Sequence, residues 1–150
     1  MQFTKNHSFR SVLAALSTAA ALASISGFPA SAQVAIEVPA QALGVSLAAC
    51  SSPSSCDAAL QGLIDQLVAA NPGADLALII GSVIAAVAAG YNNGTIPAAV
   101  AEAALVSAGG IASSNGLTSL AAVATQAVAT VVAGDPIDLE AVAEASGSPA

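Results

Sequence analysis

Four carboxylates crowd the last part of the chain, Asp135, Asp138, Glu140 and Glu144, and two cysteines, Cys50 and Cys56, stand six residues apart. These are the residues whose types and spacing can do chemistry. Two carboxylates act as general acid and base when their surroundings push their proton affinities apart. Asp135, Asp138 and Glu140 also offer the hard oxygen ligands that calcium takes. The Asp-x-Asp-x-Asp-Gly pattern of a calcium loop is missing, however. Pro136, Leu139 and Val142 place these acids at the start of a helix, where they complement the positive end of its dipole on a solvated face. That structural role accounts for them, so no catalytic, cofactor-binding or metal-binding residue is expected.

The cysteines read differently. An even pair in an exported chain is a disulfide framework, and Ser51-Ser52-Pro53-Ser54-Ser55 between them makes a short loop joining two elements. A reactive dithiol needs a cation to lower a thiol pKa, and none is near; nor is the spacing Cys-x-x-Cys.

Export itself is read from charge. Lys5, His7 and Arg10 are the only basic residues, and all nine acids follow them, giving a formal net charge of −7. A basic start, the uncharged apolar run Val12 to Ile25 and the small-x-small sequence Ala30-Ser31-Ala32 have the form of a secretory signal peptide over residues 1–32, cleaved between Ala32 and Gln33. The expected destination is the periplasm or the exterior. Residues 33–150 then form a single helical domain with no Lys, Arg, His, Phe, Trp or Met and one aromatic, Tyr91.

Whole classes of function fall away with the cations. Ser-His-Asp and Cys-His catalysis lack a base, nucleic acid and anionic lipid surfaces repel a polyanion, and zinc, copper and haem lack ligands. A carboxylate-based hydrolase stays open in principle, as an alternative needing two acids in one cleft. Asn93-Gly94-Thr95 satisfies the N-glycosylation sequon in a predicted loop, with no signal that it is used.

The elements that position these residues are helical. Asn71, Asn93 and Asn115 fall 22 residues apart and Asp135 follows after 20 more, each beside Gly or Pro, which suggests one helix and one turn per unit. Between these breakers Ala and Leu dominate without strict alternation, favouring helix over strand. The clearest helix spans about Ser54 to Ala70, with Leu60, Leu63, Ile64, Leu67 and Val68 in one stripe and Ser54 with Asp57 at capping-box spacing. Asn71 ends it and is expected to cap the next, with Pro72 in its first turn. That helix runs to Ala89, is apolar on all sides, and is stopped by Gly90.

Thr95 is expected to cap a third helix to Ala108, halted by Gly109-Gly110. A fourth spans Leu117 to Ala133 and ends at Gly134; a fifth begins at Asp135-Pro136, with a frayed tail over 146–150. At the front, residues 33–39 form an extended arm or a short strand, and Ala40 to Ala49 a short helix. The stretch Ile36-Glu37-Val38-Pro39-Ala40-Gln41-Ala42-Leu43 resembles the opening of the secretin and TonB-dependent receptor N-terminal domain over about a dozen residues. The strands which that domain requires are not visible afterwards, so the resemblance implies no function.

A membrane-associated helical hairpin is a second alternative, since Leu76 to Ala89 and Leu117 to Ala133 are uncharged and Gly81, Ala85 and Ala89 make a small-residue face. Both runs fall short of the ~20 strongly apolar residues that a span needs. The expected fold is therefore all-α: a small Ala-rich bundle or helical-repeat array of five to six short antiparallel helices with one disulfide, the Leu76 and Leu117 helices central. With 56% hydrophobic residues and only 7% charged, such a chain is expected to complete its burial by self-association. The expected function is structural or protein-binding, non-enzymatic, with itself or another envelope or extracellular protein as partner.

Overall fold

The protein, seen in a computed structural model, is described over residues 36–147. The proposed cleavage site at Ala32 and Gln33 and the last three residues lie outside that range. Within it the chain is all-α: α1 (Ala40–Ala48), α2 (Pro53–Ala70), α3 (Leu76–Asn92), α4 (Ala98–Ser114), α5 (Thr118–Ala133) and α6 (Leu139–Gly147). No strand forms among the described residues; residues 36–39 carry no regular structure, and Ile36 and Val38 lie half-buried against the core.

Helix ends follow local chemistry. Asn71, Asn93 and Asn115 are the C-caps of α2, α3 and α4, so the even spacing in the sequence marks where helices stop. Asn71 and Asn115 each turn the side-chain amide back to donate to a carbonyl of the last turn, Leu67 and Ile111. Gly134 closes α5 in the left-handed conformation, φ 81°, which costs glycine no Cβ clash. The α2 cap differs from expectation: Ser52, not Ser54, is the N-cap, and it forms a reciprocal capping box with Ser55. Pro53 thereby takes the first helical position, where its missing N–H costs nothing. Asn71 does not cap α3, which starts at Leu76 after Asp75, leaving Pro72 in the connecting turn.

Two expected glycine stops do not stop anything. Gly90 lies inside α3, which runs on to Asn92, because a side chain there would collide with Ile96 of the returning chain. Gly109 and Gly110 lie inside α4, and a Cβ on Gly109 would come within 3.1 Å of the Ala124 methyl. Glycine in both places permits close approach of a neighbour, which outweighs its helix penalty of about 0.5–1 kcal/mol.

The packing is that of a bundle rather than an array. α2 packs on α4, and α6 returns to pack on α3, so helices meet partners beyond their sequence neighbours. α4 and α5 form the most extensive pairing, a hairpin across the three residues Asn115 to Leu117. At the centre lies α3, where no residue from Leu76 to Tyr91 is exposed and Ile79, Ile80, Val83, Ile84 and Val87 are completely buried. The expectation that a helix apolar on all sides is enclosed on all sides holds for α3. The expectation that the Leu117 helix is central as well does not hold: α5 buries only Leu120, Ala124, Ala127 and Val131 and is peripheral, because Ala at so many positions gives a neighbour little area to cover. On α2, Leu60, Leu63, Ile64 and Leu67 are buried, but Val68 turns outward at 44% exposure.

Candidate functional site

The disulfide is present: Cys50 and Cys56 are bonded Sγ to Sγ at 2.06 Å. Cys50 follows the end of α1 and Cys56 enters the first turn of α2, so the bond fastens the short helix to the long one beside the Ser52 cap. Both cysteines are buried in the core cluster. Ser107, the buried polar residue of α4, places its hydroxyl 3.5 Å from the Pro53 carbonyl and so ties α4 to the same corner. The arrangement is structural.

The acids are placed apart from one another in role. α6 begins at Leu139 rather than at Asp135-Pro136, so of the expected first-turn acids only Glu140 is in the first turn. Asp138 precedes the helix and caps it, its Oδ1 accepting the Glu140 and Ala141 N–H groups at 2.9 and 3.4 Å. Asp135 belongs to the connection, where its N–H donates to the Thr130 carbonyl. Physically the shift follows from Ile137: it is buried, and Asn92 of α3 grips its peptide with two 2.8 Å hydrogen bonds, one donated by Nδ2 to the Ile137 carbonyl and one accepted by Oδ1 from the Ile137 N–H. Its N–H and carbonyl are both committed to Asn92, and the helix starts only after it. Among the described residues, no three of His, Cys, Asp or Glu gather where a metal ion could sit.

Asn93 is exposed at the end of α3, and its sequon is folded into a tight turn: Thr95 donates its N–H to Asn93 Oδ1 at 3.0 Å, and its hydroxyl stands 2.7 Å from the same oxygen. Thr95 does not cap α4; its hydroxyl is 3.1 Å from the Gly90 carbonyl oxygen, and Pro97 is the N-cap. Of the tail expected to fray over 146–150, Ser146 and Gly147 belong to α6, with Ser146 seated over Gly81 in place of the Cβ that any other residue would carry there; residues 148–150 lie outside the described residues. The small-residue face of α3 that resembled a membrane-packing motif thus receives α6 at Gly81, and no helix among the described residues is long and apolar enough to cross a membrane.

Between α4 and α5 lies a groove of about 400 Å³, lined by Val106, Gly109, Gly110, Ala122, Thr125 and Val128 among others, with no charged residue in it. An added Cβ on Gly110, one of its lining residues, would meet nothing within 4 Å. A more open hollow of about 460 Å³ lies between α2 and α4, beside Asp57 and Gln61, and one of about 390 Å³ beside α1 at Val45. On α5 the groove is lined by Ala121, Ala122, Thr125 and Val128, small residues that do not announce themselves as a surface in the sequence. No family model, curated protein or solved structure matches the chain.

Proposed function

We propose that this is an exported, non-enzymatic helical protein that works structurally or by binding protein, with self-association as its mode of assembly. The observation that carries the reading is the uncharged, partly apolar face formed by α4 and α5, on a chain that otherwise spreads nine acids over its length and has no cation after Arg10. A face of Val, Ala, Gly and Thr has the composition of a protein contact rather than of a pocket for polar substrates. The Cys50–Cys56 bond supports an oxidising compartment, in keeping with the basic, apolar and small-residue order of residues 1–32.

Expression of the whole chain in a bacterial host tests the reading. The protein is expected in the periplasmic or culture fraction, beginning at Gln33 and uncut by trypsin, and sedimentation velocity is expected to show a species heavier than one chain as concentration rises. Exported material that still begins with Met1 overturns the signal assignment, and a strict monomer at all concentrations overturns self-association.

A further inference from the structure

All nine acids of the chain lie within the described residues, and every one is exposed: Glu37 ahead of α1, Asp57 and Asp65 on α2, Asp75 ahead of α3, Glu102 on α4, Asp135 and Asp138 between α5 and α6, and Glu140 and Glu144 on α6. α6 packs on α3 and α5, neither of which carries a charged residue, and α2 packs on α1, α3 and α4, which bring it no charged residue but Glu102. Among the described residues the titratable groups are these nine carboxylates and the Tyr91 hydroxyl, because Lys, Arg and His are absent after Arg10 and the two cysteines are bonded to each other. No cation of the described fold faces any acid.

In an ordinary protein acid removes the carboxylate charge and leaves Lys, Arg and protonated His behind. Ion pairs are lost, the molecule becomes a polycation, and self-repulsion opens the fold. Neither cause operates here once residues 1–32 are removed, since there is no ion pair to lose and no positive charge remains beyond that of an amino terminus. The core gives acid nothing to act on either: its polar member is the Ser107 hydroxyl, and among the described residues no buried side-chain nitrogen or oxygen lacks a hydrogen-bond partner. Asp138 alone among them uses its carboxylate as an acceptor, for the first turn of α6, so protonation slackens one short terminal helix.

Resting on the export and self-association proposed above, which remove Lys5, His7 and Arg10 from the mature chain, we infer that the nine carboxylates form a pH switch: acid discharges the protein without unfolding it, and copies held apart by repulsion at neutral pH associate. Carboxylates as a class take up protons around pH 4. Because no Lys or Arg takes over below that range, the net charge approaches zero and stays there, where an ordinary protein passes its isoelectric point and becomes positive. Association therefore tightens as pH falls and then levels off. The repulsion belongs to the whole molecule, so the switch does not depend on which faces meet. Two folded chains of this length in contact have centres about 35 Å apart, a distance over which charges still act at ~10 mM salt and are screened out at ~1 M. Acid is expected to tighten association at least about tenfold at low salt and hardly at all in molar salt.

Sedimentation velocity and circular dichroism on the exported protein, from about pH 7 to about pH 3 and at low and molar NaCl, test this. A variant carrying Gln41→Lys, Gln61→Lys, Gln66→Lys and Gln126→Lys is run beside it; all four glutamines are exposed, and the variant stays cationic in acid. At low salt the wild type is expected to associate steadily more as pH falls, to reverse on return to neutral pH, and to keep in acid its helical spectrum and a cooperative urea transition of unchanged m-value. The lysine variant is expected to associate most where its lysines balance the remaining carboxylates and to disperse again below that pH. In protein shown by N-terminal sequencing to begin at Gln33, loss of the helices in acid, association no tighter in acid than at neutral pH, or a wild type that disperses again like the variant overturns the switch. Association at neutral pH that acid leaves unchanged overturns the switch alone and leaves self-association standing. A monomer at every concentration and pH removes both, and exported protein that still begins with Met1 overturns the export reading and the switch with it.

Discussion

α3 and α5 are helices of similar length, both rich in Ala and Val and both without a charged residue, yet one is enclosed and the other lies half in water. The difference lies in the size of the side chains. α3 offers Ile79, Ile80, Val83, Ile84 and Val87, branched side chains that fill space in several directions, and α4 and α6 cover them. α5 offers Leu120 and Val131 to the core, with Ala124 and Ala127 between them and Ala121, Val123 and Val128 half-buried at the edges, and its outer side, Thr118, Ala122, Thr125, Ala129 and Val132, is exposed. Apolar composition alone does not say which helix is central; the volume that can be packed does.

The largest expected effect lies in α3. Ile84→Ala leaves a void among completely buried neighbours and is expected to destabilise by about 2–5 kcal/mol, read as a lower urea midpoint at constant m-value. Val132→Ser on α5 is expected to change monomer stability by no more than about 0.5 kcal/mol. A comparable loss at the two sites would erase the contrast between the helices.

A smaller effect is expected where α6 seats on α3. Gly81→Val drives a branched side chain into Ser146, and overpacking of this kind costs about 1–3 kcal/mol. The strain falls on the terminal helix, so a glutamate-specific protease is expected to cut faster at Glu140 and Glu144 than in the wild type. Unchanged cleavage would mean that α6 is not held by that contact. Asn92→Ala removes both hydrogen bonds to Ile137 and leaves the buried peptide without its partners, at about 1–3 kcal/mol, with the same protease site as readout.

Smallest, and of opposite sign, is Gly62→Ala in α2. Nothing lies within 4 Å of the added methyl, so the helix gains about 0.5–1 kcal/mol, visible as a small rise in the thermal midpoint. The same change at Gly109, where Ala124 is already close, is expected to give no gain.

Much of this architecture is legible in the sequence. The Asn positions mark helix ends because an Asn followed closely by Gly suits a C-terminal turn, and the Leu60, Leu63, Ile64 and Leu67 stripe follows helical period. The disulfide was legible from an even cysteine count and a short intervening loop. The Ser52 cap was legible too, since Pro53 belongs at the first helical position, but five residues containing four serines offer several competing caps. Gly90 and Gly109-Gly110 were misread for a different reason. A glycine that breaks a helix and one that admits a neighbouring helix have the same local appearance, and only Ile96 and Ala124, distant or unaligned in sequence, distinguish them. The late start of α6 was hidden likewise, because Asn92 lies 45 residues from the Ile137 peptide it grips.

Hydrogen exchange followed by mass spectrometry tests the central claim most directly: that α3 is the enclosed core and α5 the peripheral helix. The account predicts slow exchange of α3 amides, through global opening alone, and faster exchange in α5. Exchange in α3 no slower than in α5 would contradict it.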